Sequence, residues 1–117
     1  YCFVFDTTDA NSPFTGGIYT GNASADGTFI PSDELLVCMF KETGATGGWG
    51  VLDQTRNTYN PLGNYIQANT ADAEASLTLL DFLSNGVKLR STNGNYNTSS
   101  SGYIWWGIKK NGGGLWA

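Results

Sequence analysis

The stretch Leu79-Leu80-Asp81-Phe82-Leu83-Ser84-Asn85-Gly86-Val87-Lys88-Leu89-Arg90 decides the fold class. Two apolar runs flank Asn85-Gly86, and Asn-Gly is the pair most favoured in the type I′ turn of a two-residue β-hairpin. In the second arm Val87 and Leu89 alternate with Lys88 and Arg90, so one face packs inward and the other meets water. Asp81 alternates with Leu80 and Phe82, which directs it to solvent or to the hairpin end rather than into a cleft.

Outward from the hairpin, strand-length runs bounded by turn residues recur at Tyr1–Phe5, Gly17–Thr20, Thr28–Ile30, Leu35–Lys41, Trp49–Asp53, Tyr65–Gln67 and Tyr103–Lys109. Between them lie Gly16-Gly17, Gly21-Asn22, Asp26-Gly27, Gly47-Gly48, Asn60-Pro61 and Asn93-Gly94, the residue types that tight reversals need. Punctuation this dense excludes a long helix. The run Thr70-Ala71-Asp72-Ala73-Glu74-Ala75 reads as a polar crossover or as one helical turn at most, since isolated short helices are marginal. The expectation is an all-β, antiparallel fold of two stacked sheets around one core, with no internal repeat to suggest a solenoid or propeller.

A chain of 117 residues with 40% hydrophobic side chains is one domain spanning residues 1–117. It begins at Tyr1, inside an apolar run and without Met, which reads as a processed product or as a piece of a longer polypeptide. Domains of this size bury only about two thirds of their unfolded surface. The 14% of aromatic residues therefore carries much of the energetics of core and contacts.

Charged residues are also only 14%, against a norm of about 25%, so the surface is polar through amides and hydroxyls and tolerates packing against other protein. A net charge of −4, with basic residues scattered apart from Lys109-Lys110, argues against a nucleic-acid partner. No apolar run approaches the roughly 18–20 residues of a membrane-spanning helix, so no membrane insertion is expected. Cys2 and Cys38 each sit in an apolar strand-like run. They read as two buried thiols or as a disulfide between adjacent strands, and two cysteines alone do not decide.

The chain contains no His, which removes the usual general base, the common triads and imidazole metal sites. Asp53 and Asp81 are the carboxylates to weigh for glycoside hydrolysis. Asp53, three residues before Arg56, reads more simply as a turn in which the carboxylate caps backbone N–H groups and pairs with the guanidinium. Oxygen-rich loops at 6–12 and 69–72 lack EF-hand spacing and read as Asx turns. No catalytic centre, cofactor or metal is expected. Asn22-Ala23-Ser24 and Asn97-Thr98-Ser99 fit the N-glycosylation pattern and mark exposed loops.

The cluster Tyr103-Ile104-Trp105-Trp106 is the most informative surface signal. Alternation sends Tyr103 and Trp105 to one face and Ile104 and Trp106 to the other, so both faces are bulky and apolar. One face needs the core and the other a covering loop or a partner subunit. Trp49, Tyr96, Tyr103, Trp105 and Trp106 are accordingly the candidates for subunit contact or for stacking on a sugar.

Taken in order, Gly17-Ile18-Tyr19-Thr20-Gly21-Asn22, Lys41, Gly48-Trp49-Gly50-Val51-Leu52-Asp53 with Arg56, Gln67-Ala68-Asn69-Thr70 with Ala73-Glu74, Asp81 through Arg90, and Tyr103-Ile104-Trp105 resemble a domain family of tailed bacteriophages. The resemblance covers roughly residues 17–106. Its most specific parts are the W-x-x-x-D-x-x-R block and the D-F-L-S-N-G hairpin. It departs at Gly107 to Gly114, where members usually continue with small residues and an acidic, Pro-containing segment. The resemblance implies a concanavalin-like, jelly-roll two-sheet sandwich in a tail, fibre or capsid-surface protein. The partners it implies are copies of itself and other virion proteins, with host-surface glycans as a further ligand. The location would be virion or extracellular. It carries over no catalytic residue.

Overall fold

The computed structural model describes Asp6 and residues 8–110. Within that range every strand-length run becomes a strand, because each couples apolar alternation to flanking turn residues. The elements are β1 (Phe14–Thr20), β2 (Phe29–Pro31), β3 (Leu35–Glu42), β4 (Gly50–Asp53), β5 (Leu62–Gln67), β6 (Ala75–Leu83), β7 (Gly86–Leu89), α1 (Gly94–Asn97) and β8 (Gly102–Lys109). The expected strand Tyr1–Phe5 and Cys2 lie outside the described residues. Cys38 is a buried free thiol, and burial pushes its ionisation well above the usual thiol value.

All pairings are antiparallel, in the order β1-β8-β3-β4-β5-β6-β7-β2. Successive strands therefore run alternately up and down, which sorts the loops into two ends. One end carries 21–28, 43–49, 68–74 and 90–101. The other carries 32–34, 54–61, 84–85 and Lys110. The edge strands β1 and β2 are consecutive in the chain. Loop 21–28 draws them together, and Thr28 Oγ1 donates to the Thr20 carbonyl at 2.7 Å.

The sheet folds over itself at β5. Residues 62–65 of β5 pair with β6, while Ile66 and Gln67 pair with β4. Between Leu62 and Asn64 the register with β6 shifts, leaving Leu77 to Leu79 bulged on β6. A Cβ on Gly63 would meet the Leu77 carbonyl at 2.8 Å, so the bulge rests on a residue without a side chain. The bulge also lets Leu79 and Leu80, adjacent in sequence, both enter the core. That core joins both halves of the sheet, from Tyr19, Phe40 and Trp105 on one side to Ile30, Leu80 and Val87 on the other.

Two expectations are corrected at the hairpin. The hairpin forms, but its loop is Ser84-Asn85 with Leu83 paired to Gly86. Gly86 takes the positive φ of 150°, and neither loop residue has φ above zero, so the turn is not type I′. Asp81 is 7% exposed rather than solvent-facing, because Arg90 Nε lies 2.6 Å from its carboxylate and covers it. The run 70–74 is irregular, as its reading as a polar crossover has it, and Ala75 opens β6; the one helical turn among the described residues lies instead at Gly94–Asn97. There Asn93 acts as N-cap, its side chain accepting from Asn95 N at 2.9 Å.

Asn97 ends that turn fully buried. Its amide nitrogen donates to Asn22 Oδ1 at 3.1 Å, Ser24 O at 2.9 Å and Ser91 O at 2.9 Å, and its Oδ1 accepts from Asn22 N at 2.8 Å. The Asn97-Thr98-Ser99 pattern is thus a clasp holding loop 21–28 to α1, not an exposed acceptor.

Candidate interaction surface

Strand β8 separates its four bulky residues as alternation requires. Tyr103 and Trp105 point inward and are 1% and 6% exposed. Tyr103 Oη donates to Gly94 O at 2.7 Å and accepts from Thr98 N at 2.8 Å, so its polar tip is satisfied within the fold. Ile104 and Trp106 point outward. Ile104 is paired across the strands with Ile18 of β1, which is 81% exposed.

The next cross-strand row begins at half-buried Trp106 and continues through Met39 and Val51 to Ile66, spanning β8, β3, β4 and β5. A third row sets Ile108 beside Val37. Two charged side chains border these rows, and both are engaged locally. Lys41 donates to the Glu42 and Ala45 carbonyls. Asp53 accepts from Thr55 N at 2.9 Å and Arg56 N at 2.8 Å and pairs with the Arg56 guanidinium at 3.0 Å. Arg56 also reaches Glu74 at 3.5 Å. The result is a broad apolar outer face.

The outer face of β6, β7 and β2 differs. Asp81 sits under Arg90, and Asp26 pairs with Lys88 at 3.0 Å and with Arg90 at 3.6 Å. The Lys88 ammonium beside Asp26 holds that carboxyl below its ordinary range. One outer face is apolar, while the opposite one mixes these ion pairs with exposed Phe29 and Leu77. Asp53 and Asp81, the two carboxylates weighed for hydrolysis, are each held by their own arginine.

The sugar-stacking candidates fare unequally. Tyr96, Tyr103 and Trp105 are core residues, and a ring packed on both faces has none to offer a pyranose, which corrects that expectation. Tyr96 is 2% exposed and stands edge-on to Tyr65. Trp49 and Trp106 are half-buried. Sequence reasoning passed over Ile18, although the alternation that buries Tyr19 already places Ile18 outside. It also passed over Tyr59, which is 83% exposed in loop 54–61.

Among the described residues, clefts open at both sheet ends. At the end bearing Lys110, a cleft of about 220 Å³ is lined by Ala10, Asp33, Glu34, Ser84 and Lys109. Its charges are matched by Lys109–Asp33 at 3.1 Å and Lys110–Glu34 at 2.7 Å, and Lys110 draws the Glu34 carboxyl below its usual value. A neighbouring cleft, also about 220 Å³, includes Gln54, Asn57 and Asn60. There Asn57 Oδ1 accepts from Gly63 N and Asn64 N, and the Asn60 amide is bonded twice to the Phe82 backbone. At the other end, about 230 Å³ lies among Tyr65, Gln67, Asp72, Ala73 and Ala75. Among the described residues no group of three or more His, Cys, Asp or Glu side chains is placed to hold a metal ion.

Fold and surface together define an antiparallel all-β domain with an apolar outer face on β8, β3, β4 and β5 and a mixed one on β6, β7 and β2. The chain belongs to the family described as a domain of unknown function (DUF7483), whose model matches residues 1–111. A search of curated proteins and a search of solved structures each found no match.

Proposed function

We propose that the chain is a non-enzymatic structural module of a bacteriophage virion, a tail, fibre or capsid-surface component that packs against copies of itself and neighbouring virion proteins. In this reading it resides on the virion or outside the cell. Its finer architecture is a concanavalin-like jelly-roll sandwich, with β1-β8-β3-β4 over β6-β7-β2 and β5 as the bridge.

The observation that carries the reading is the exposed Ile18–Ile104 pair at the margin of the apolar rows. Withdrawing the Ile18 side chain from water is worth about 1.5–3 kcal/mol, and a self-complementary apolar patch suits an isologous contact. The pairing of Asp53 and Asp81 with arginines supports a role without catalysis, since each carboxylate is engaged by a guanidinium. The ordered motif resemblance supports the virion setting.

The reading is tested on purified particles from a host that carries this gene. Quantitative mass spectrometry of the particles should find the chain in integer stoichiometry with a tail, fibre or capsid protein. Its absence from particles while it is abundant in the lysate would refute the virion assignment.

A further inference from the structure

The cleft between β5 and the 70–75 crossover differs from the other two in what its side chains have left to offer. In the two clefts near Lys110 the charges and the asparagine amides are largely spent on each other or on the backbone. Here, among the described residues, the Tyr65 hydroxyl, the Gln67 amide and the Asp72 carboxylate make no hydrogen bond. Tyr65 and Gln67 project from the same side of β5, two residues apart. Asp72 is brought to them by the crossover, whose backbone is held where Asp72 N donates to Thr70 Oγ1 at 3.4 Å. Ala73 and Ala75 complete the lining and leave the space of about 230 Å³ open.

The facing loop is cut back to match. A Cβ at Gly48 would collide with the Gln67 amide, and one at Gly50 with the Tyr96 ring and hydroxyl. The Tyr96 hydroxyl is buried without a hydrogen-bond partner, and its ring stands 5.8 Å from that of Tyr65 at 79°. Trp49, between the two glycines, is anchored by its backbone N donating to Asn69 Oδ1 at 2.8 Å, which fixes this loop beside the cleft.

We infer that this cleft binds one neutral hexopyranose unit. An unpaired carboxylate accepts from two vicinal hydroxyls, a free carboxamide both donates and accepts, and a tyrosine ring covers the C–H face of the sugar. The volume suits one ring. No cation lines the cleft, and the carboxylate repels anions, which excludes phosphorylated and acidic sugars. This site uses none of the aromatic residues of β8 and stands independently of the assembly reading.

The test is an NMR titration of the labelled domain with D-glucose, D-galactose, D-mannose and N-acetyl-D-glucosamine in turn, and with N-acetylneuraminate as the anionic counterpart. At least one neutral sugar should shift the Gln67 side-chain amide and the backbone signals of Ala73 and Ala75, with a Kd of about 1 mM, as expected for a single small polar ligand. Asp72→Asn, an exposed substitution whose folding the same spectra verify, should weaken that binding about tenfold. Gln67→Ala should weaken it similarly. The inference is overturned if none of the four neutral sugars moves these signals, if the shifts survive unchanged in Asp72→Asn, or if N-acetylneuraminate binds as well as the best neutral sugar.

Discussion

Tyr19 and Tyr103 stack face to face, their ring centroids 4.8 Å apart and their planes 6° from parallel. They are direct cross-strand partners on β1 and β8, and each hydroxyl grips α1. Tyr19 Oη donates to the Tyr96 carbonyl at 2.7 Å, and Tyr103 Oη donates to the Gly94 carbonyl at 2.7 Å. One stacked pair thus fixes the helical turn that closes this end of the core. Tyr19 also meets Phe40 edge-on at 6.0 Å, which ties the stack to β3.

Removing the Tyr103 hydroxyl deletes a bond to Gly94 and leaves Thr98 N without its acceptor. Tyr103→Phe is expected to cost about 2 kcal/mol and to lower Tm by about 5–10 °C, with the ring packing unchanged. Thermal and urea unfolding of the variant check the magnitude. Amide exchange at 94–98 faster than elsewhere would confirm that the loss is local to α1.

Asn97 is the second anchor of the same end. Asn97→Ala strands the Ser24 and Ser91 carbonyls and Asn22 N, and about 3 kcal/mol of stability should be lost. Asn97→Asp should be worse near neutral pH, because a carboxylate would face carbonyl oxygens that now receive N–H bonds. Denaturant midpoints at neutral and acidic pH order the two variants, and equal stability of Asn97→Asp and wild type would contradict the clasp.

The strands were legible because each apolar run is short and separately punctuated, so Leu35–Glu42 and Gly102–Lys109 differ from their expected ranges by one residue. The helix was not, since Asn93-Gly94 has the composition of a turn, and the hydroxyls that brace the helical turn come from Tyr19 of β1 and Tyr103 of β8, which no local motif announces. Burial of Asp81 was hidden for the same kind of reason: its cover, Arg90, reaches it across the β6–β7 ladder. Alternation placed Trp105 and Trp106 on opposite sides, but only the cross-strand partners disclose that Trp106 belongs to a row running to Ile66. Tyr65, Gln67 and Asp72 carry no motif at all, because the crossover, not the spacing, brings them together.

Stability should fall at both ends of the pH scale for different reasons. Burial, the largest cause, raises the ionisation of Tyr19, Tyr96 and Cys38 in the folded state. Their contribution is complete below the unfolded values of 10.0 and 9.0 and is lost as pH rises beyond them, since only the unfolded chain then ionises. Asp26 and Glu34 are lowered by Lys88 and Lys110. Their smaller, screened contribution is present above the ordinary values of 3.8 and 4.5 and is lost as pH falls through the lower folded values. Tyrosinate absorbance followed against pH should show two tyrosines that ionise only together with loss of the folded circular dichroism signal. Smooth titration of all tyrosines in the folded domain would rule this out.

The central claim is that the outer face around Ile18 and Ile104 joins copies of the chain. Light scattering coupled to size-exclusion chromatography, across a concentration series, tests it most directly. The account predicts a mass that is a multiple of 12.5 kDa and that collapses to the monomer in Ile18→Glu/Ile104→Glu, with Tm of the isolated subunit nearly unchanged. A wild-type domain that stays at 12.5 kDa at every concentration, or a double variant that assembles as the wild type does, would contradict it.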